Sequence, residues 1–505
     1  MTLRRTSLII LFVTLATSCA VGPAYRRPET PANVGYAPTS LPEASSSAPI
    51  HGGDVQRFIA GRDLPFEWWQ AFQSPALSAL VERALKANPS IPAARAALVQ
   101  AQELVRAQRG FYFPTVLGNL QAERVKVAGN ETQESSLGIQ ANGNNLQEPP
   151  APASPLYYQF YTAALSVGFV PDVFGANRRQ VESLVAQRDI QRFALEATYI
   201  TLASNVVAAA IQEASLRAQI AATQQIIEAD TKCLQVLRDQ FRLGFAMRID
   251  VAAQEASLAQ AETALPPLQE QLEQTRDLIR ALVGNLPNQD VAETFELDAL
   301  QLPPELPLSL PARIIQQRPD VRAAEAQLHA ANAQVGVAVA AMLPQFSISG
   351  TAGGNADQIP QIFRAGGPYW TIIGSVTQPI FAGGTLLHDK RAASAALKQA
   401  AAQYQNVVIT AYQNVADTLH SSLSDADALV GAVEAENAAR LTYELTRRQM
   451  EVGYVNYLAL LSAQATYNQA LLTRVQAEVT RYGDSVALFQ ALGGGWWNRK
   501  ELAAR

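Results

Sequence analysis

The chain has 505 residues, 48% of them hydrophobic and 16% charged, a formal charge of −5 and a mean hydropathy of zero. A polytopic helical membrane protein is far more apolar. A mildly acidic chain also offers nucleic acid no electrostatic attraction, so no nucleic-acid partner is expected.

Taken in chain order, residues 1–18 read as an export signal. Arg4 and Arg5 make the basic start, and Leu8 to Ala16 make an apolar stretch too short to span a bilayer. Small residues Ala16, Thr17 and Ser18 then lead to Cys19. Two readings of this junction remain: lipid attachment at Cys19, or ordinary cleavage after a small residue. Beyond it Cys233 is the sole thiol, so no internal disulfide framework is expected, and Cys233 reads as a packed helix residue.

The organisation of the rest is set by an internal repeat. Asn88-Pro89 and Arg318-Pro319 each open a helical pattern that ends at Pro114 and Pro344, so both proline pairs lie 230 residues apart. Later landmarks keep a shorter offset: Phe174-Gly175 with Phe381-Ala382, Leu243-Gly244 with Val452-Gly453, and Ala281-Leu282 with Ala491-Leu492. One insertion in the first copy accounts for the change. It falls in the Asn-, Gly-, Ser- and Pro-rich stretch 129–155, which reads as a polar loop. The expected segments are 1–18 signal, 19–88 N-terminal anchored and equatorial segment, 89–284 first repeat, 285–317 equatorial linker, 318–492 second repeat and 493–505 tail.

Each repeat carries two runs of period-two alternation, at about 114–124 and 159–170 in the first and 344–353 and 369–380 in the second. In the third run Phe346, Ile348, Gly350 and Ala352 oppose Gln345, Ser347, Ser349 and Thr351. About ten residues is the length of a tilted membrane-crossing strand. A soluble two-layer sandwich would alternate as well, but the export signal favours the membrane. Four strands do not close a barrel, and lipid does not tolerate open sheet edges. Several chains must therefore pool strands.

Between these runs lie two exceptionally long helical patterns, Asn177 to Leu243 and Thr385 to Val452, without internal proline. At 1.5 Å per residue each is roughly 100 Å long. Asn177 to Leu243 carries two apolar seams at three-four spacing, one through Phe193, Ile200, Val207 and Ile211, the other through Leu195, Leu202, Val206 and Ala209. Thr385 to Val452 repeats the arrangement through Tyr404, Val408, Ala411 and Val415, and through Ile409, Tyr412, Ala416 and Leu419. Two seams mean two coiled-coil neighbours, as in a wall of helices. Pro266-Pro267 and the stretch Ser424 to Glu436 are expected to interrupt this regularity, and Asn285 to Pro311 shows no helical period.

Catalytic constellations are missing from the sequence. His51, His329, His388 and His420 have no partner spacing, and no metal cluster, nucleophile elbow or phosphate loop is evident. The expectation is a protein that is not an enzyme and has no cofactor or metal. Gly493 to Gly495 reads as a chain-end motif. In Arg318-Pro319-Asp320 the proline opens a helix whose positive end Asp320 favours. The tight turns are Arg242 to Asp250 and Glu451 to Asn456, where Gly244 and Gly453 supply left-handed backbone.

With these features in view, the chain resembles the TolC-like outer-membrane efflux proteins, in particular their lipoprotein branch. The resemblance rests on Cys19-Ala20-Val21-Gly22-Pro23-Ala24-Tyr25, Trp68-Trp69 with Phe72, Pro171-Asp172-Val173-Phe174-Gly175, Arg318-Pro319-Asp320, Pro379-Ile380-Phe381-Ala382-Gly383-Gly384 and the ending Ala491 to Trp496. It departs from the lipoprotein pattern at one place: Ala16, not a leucine, stands three residues before Cys19. The resemblance implies an α+β membrane protein, a homotrimer with a twelve-stranded transmembrane β-barrel continued by a long α-helical coiled-coil periplasmic barrel. It implies a lipid on Cys19, residence in the outer membrane, and partnership with a periplasmic adaptor and an inner-membrane transporter of the RND type. The implied role is a passive exit duct for small toxic compounds or drugs; the alternative is the duct of a type I protein secretion system. By the same resemblance the tips of the long helices close the tunnel and meet the adaptor. The candidates there are Arg242, Gly244, Arg248, Asp250, Glu451, Gly453, Tyr454 and Asn456; the plainer reading makes them solvated turn residues.

Overall fold

A computed structural model of the chain describes residues 20–29, 35–38, 42–127, 156–309, 311–364 and 366–499. Its elements are β1 (Arg57–Ala60), α1 (Pro75–Ala87), α2 (Ser90–Gly110), β2 (Thr115–Val127), β3 (Leu156–Phe169), α3 (Ala176–Arg242), α4 (Arg248–Leu282), β4 (Glu305–Leu308), α5 (Pro311–Gln317), α6 (Pro319–Ala340), β5 (Gln345–Ala356), β6 (Pro368–Thr377), α7 (Thr385–Glu451) and α8 (Tyr457–Ala491). Short 3₁₀ turns lie at Trp68–Phe72, Leu297–Ala299, Ile359–Gln361 and Trp496–Asn498.

The chain divides into two compact units. The first comprises Met1–Tyr25, Gln102–Ala186 and His329–Lys398. It holds a four-stranded antiparallel sheet in the order β2-β3-β5-β6, with β3 against β5 joining the two halves of the sequence. The alternating side chains suit a pleated sheet, since successive residues face opposite sides. Large apolar side chains remain exposed on it, among them Leu120 (85%), Trp370 (73%) and Ile372 (73%). At the head of α3, Asp172 accepts from the main-chain nitrogens of Asn177 (2.9 Å) and Arg178 (2.7 Å), filling two of the orphan donors of a helix start. The segment from Ala20 is strapped over this joint. Val21 N donates to Phe174 O at 3.1 Å, Arg179 Nε donates to Val21 O at 3.1 Å, and Tyr25 stacks on His329 at 4.1 Å. A Cβ on Gly22 would lie 2.5 Å from the Gly336 backbone, so the strap fits only because position 22 is glycine; a Cβ on Gly336 would meet the Arg179 side chain at 2.8 Å.

The second unit comprises Arg26–Ala101, Gln187–Leu328 and Gln399–Arg505. Its aromatic core packs Trp68 at a tilt against Phe489 (5.2 Å between rings) and stacks Phe72 on Tyr482 (6.4 Å), all four at most 2% exposed. Trp496 packs on Phe193 and donates from Nε1 to Gln317 O at 2.5 Å. Arg318 forks onto Asp320 and reaches Ala491 O at 3.0 Å, tying the start of α6 to the end of α8. Asp320 also accepts from Val321 N at 2.9 Å, at the positive end of α6.

Four helices end alike. Gly244, Gly284, Gly453 and Gly493 all have positive φ, and in each case the next residue donates to the carbonyl five positions back: Phe245 to Gln240, Asn285 to Arg280, Tyr454 to Gln449 and Gly494 to Phe489. This is the Schellman arrangement, which satisfies carbonyls that a helix end leaves bare.

Two expectations are corrected. Pro266 and Pro267 do not interrupt α4, which runs through them. They are exposed, so the carbonyls they fail to bond face water, while half-buried Leu265 and Leu268 hold the helix in place. Ser424 to Glu436 likewise lies inside an unbroken α7, where Ala426, Leu429 and Val433 (at most 5% exposed) continue the buried seam. The stretch 285–311 is irregular but packed: Phe295, Leu300 and Leu306 are at most 2% exposed, and β4 pairs in parallel with β1.

The seams of the two long helices differ. Within the second unit, Leu195, Leu202, Val206, Val207, Ala209 and Ile211 of α3 are all buried, so both of its seams are filled. On α7 the seam through Tyr404, Val408, Ala411 and Val415 is buried; of the other seam Leu419 is buried, Tyr412 and Ala416 are half-buried and Ile409 is 65% exposed.

Candidate functional site

The α3–α4 and α7–α8 turns form two tips in the second unit. Gly244 (φ 80°) and Gly453 (φ 81°) take left-handed backbone. A Cβ on either would meet open space, so the backbone angle and not crowding calls for glycine here.

The remaining sequence candidates fall into two groups. Asp250 and Asn456 secure helix starts: Asp250 Oδ2 accepts from Met247 N and Asn456 Oδ1 from Ala459 N, both at 3.0 Å. Arg242, Arg248 and Glu451 make local ion pairs, with Asp239, with Glu255 (3.9 Å) and with Arg447 (3.9 Å) respectively. Tyr454 is 84% exposed. Among the described residues no hydrogen bond or ion pair joins one tip loop to the other. Cys19 lies outside the described residues.

Two features of the tips escape a sequence reading centred on charge. The first is apolar exposure: Leu243 (71%), Phe245 (82%), Met247 (66%), Ile249 (60%) and Val452 (67%) face solvent. The second is a polar layer just behind. Leu234, Leu237, Val251, Tyr457 and Leu460 pack together, and beside them Asp230 is wholly buried. Asp230 accepts from Gln464 and from Ser257 Oγ (3.2 Å), and its main-chain carbonyl accepts from Gln254 Nε2 (3.0 Å). Tyr457 donates to Gln254 and lies 3.6 Å from Cys233 Sγ. Burial pushes the Tyr457 phenol and the Cys233 thiol up from their usual values. A charged residue at a seam position, Asp230 between Ile226 and Leu234, is the signal that marks this layer in the sequence.

Thus α3, α4 and α8 are joined by a buried polar tie, while the loops beyond it expose several apolar side chains and touch the layer through half-buried Ala246. Such a region is suited to contact and movement.

The chain thus combines two 67-residue helices with a four-stranded antiparallel sheet. The chain belongs to the outer membrane efflux protein family, whose model matches residues 80–285 and 310–494. It is 27% identical over 496 residues to the probable efflux pump outer membrane protein TtgC of Pseudomonas putida, covering 98% of this chain and 96% of that one. It is 29% identical over 446 residues to the pyoverdine export outer membrane protein OpmQ of Pseudomonas aeruginosa, covering 87% and 89%. Among solved structures, the outer-membrane channel OprN superposes with a TM-score of 0.80 at 26% identity, over 95% of this chain and all of that one. The open-state MtrE outer membrane channel of Neisseria gonorrhoeae, at 23% identity and a TM-score of 0.76 over 95% and 99%, shares the fold. The protein is therefore an efflux component of the outer membrane with the fold of the TolC-like channels.

Proposed function

We propose that three copies of this chain assemble into a closed duct, each giving four strands to a twelve-stranded barrel and two repeats (89–284 and 318–492, joined by 285–317) to a helical tube. The observation that carries this reading is the sheet β2-β3-β5-β6, whose long edges β2 and β6 have no further partner strand among the described residues. Unpaired edges are not tolerated in lipid, and three times four strands gives an even-numbered barrel of ordinary size. The half-open seam of α7 at Ile409 supports the same conclusion, because it leaves one helix neighbour to be supplied by another chain. The matched glycine endings of α3 and α7, and of α4 and α8, support the repeat.

In this reading Cys19 carries a lipid. The strap beginning at Ala20 would then set that lipid beside the joint between β3 and α3, where the sheet ends. The tips, with Arg242, Gly244, Arg248, Asp250, Glu451, Gly453, Tyr454 and Asn456, form the periplasmic gate and receive a periplasmic adaptor that links the duct to an RND-type inner-membrane transporter. The cargo is small toxic compounds or drugs, a reading supported by similar proteins of Pseudomonas putida that are named as outer membrane proteins of an antibiotic and of a toluene efflux pump. Molar mass of the detergent-solubilised protein, with detergent subtracted, tests the assembly: three chains per particle is expected, and a stable monomer contradicts it.

A further inference from the structure

A cavity of about 940 Å³ lies in the second unit between the 63–71 segment, α1, Arg95 of α2, Tyr199 of α3 and Asn498–Arg499. That volume is in the range of small-molecule sites. Phe66, Trp69, Tyr199 and Leu85 give it flat and apolar walls.

The partners of its polar groups are unequal. The acceptors are engaged: Asp63 takes Trp497 Nε1 (2.9 Å), Asn498 Nδ2 (3.0 Å) and Leu64 N (3.0 Å), Glu67 takes Gln70 Nε2 (2.6 Å), and Glu82 lies 4.0 Å from Lys86 Nζ. Arg499 is paired with Glu196 at 2.9 Å and lies over the Tyr199 ring at 4.4 Å. One donor is left over. Arg95 lies 5.9 Å over the Tyr199 ring and donates to its hydroxyl, with no carboxylate partner among the described residues. Trp69 is 2% exposed, and its Nε1 is sealed away from the cavity, so it contributes wall and no donor. A guanidinium without a carboxylate beside aromatic rings attracts an anion.

We propose that this cavity binds a small aromatic carboxylate, its ring against the aromatic wall and its carboxylate on Arg95. An aliphatic acid would leave the flat walls unused, and a neutral aromatic would leave Arg95 unpaired. The site is separate from the tips and does not depend on what the duct carries.

Isothermal titration of the purified full-length protein with 1-naphthoate, 1-naphthamide and cyclohexanecarboxylate tests the assignment. Saturable binding of 1-naphthoate is expected, weakened about tenfold or more by the amide replacement and to the same extent by Arg95→Gln. Arg95 is exposed, so this variant folds; Leu85→Trp, which narrows the cavity at its apolar wall and leaves the charges in place, is expected to weaken binding, with its melting temperature as the check on folding. Equal affinity for acid and amide, unchanged affinity in Arg95→Gln, or no saturable binding of 1-naphthoate would each overturn the proposal.

Discussion

Gln254 on α4 donates from Nε2 to the main-chain carbonyl of Asp230 on α3 at 3.0 Å, and the same Gln254 accepts the hydroxyl of Tyr457 on α8. One side chain thereby joins three helices immediately behind the tips. Replacing Tyr457 by Phe removes the donor and leaves Gln254 Oε1 without it. The expected cost is about 1–2 kcal/mol, because a buried acceptor is left unsatisfied. Thermal melts of wild type and Tyr457→Phe check this, and an unchanged midpoint would show that the tie contributes nothing to stability.

At the tips the charged residues have different weights. Asp250 secures the α4 start from 3.0 Å, whereas Arg248 sits 3.9 Å from Glu255 in an exposed pair. Asp250→Ala is expected to cost about 1 kcal/mol and Arg248→Ala less than about 1 kcal/mol. Amide hydrogen exchange across 240–260 distinguishes them: faster exchange in Asp250→Ala alone is the predicted outcome.

Ile409 is 65% exposed on a seam whose other long-helix counterpart is filled. Ile409→Glu is expected to block assembly while leaving the helical content of the chain intact. Analytical ultracentrifugation and circular dichroism together read both quantities, and a fully assembled variant would place the subunit contact elsewhere.

Asp484 on α8 is pushed up to about 7, first by burial and then by Asp425, which repels its charge and hydrogen-bonds to it; Arg481 opposes the shift. Its Oδ2 has no partner. An acid whose folded value is raised carries no penalty below its unfolded value near 4, a growing one as pH rises, and the full one above about 7. Asp484→Asn is therefore expected to raise the melting temperature at pH 8 and to leave it nearly unchanged at pH 4. Equal shifts at both pH values would contradict this account.

Much of the fold was legible because its signals are long. Period-two runs near 115, 160, 345 and 370 and two proline-free stretches of 67 residues have few competing interpretations. Short or small-residue features were not. The parallel pair β1–β4 is four residues long and joins Arg57 to Glu305, a contact no local pattern announces. In Ser424 to Glu436 polar residues hide a seam that rests on Ala426, Leu429 and Val433. At the tips Gly244 and Gly453 declared the turns, but side-chain roles depended on geometry. Asp250 and Asn456 bond to helix starts, and the apolar exposure of Phe245 and Leu243 is visible only once the turn is folded.

The central claim, a duct gated at the helix tips, is tested most directly by single-channel conductance of the purified protein in planar bilayers, beside Tyr457→Phe and Asp250→Ala. The account predicts small, mostly closed wild-type currents that become larger or longer-lived in the variants that loosen the tips. Absence of conductance in all three proteins, each shown to be folded and assembled, would contradict it.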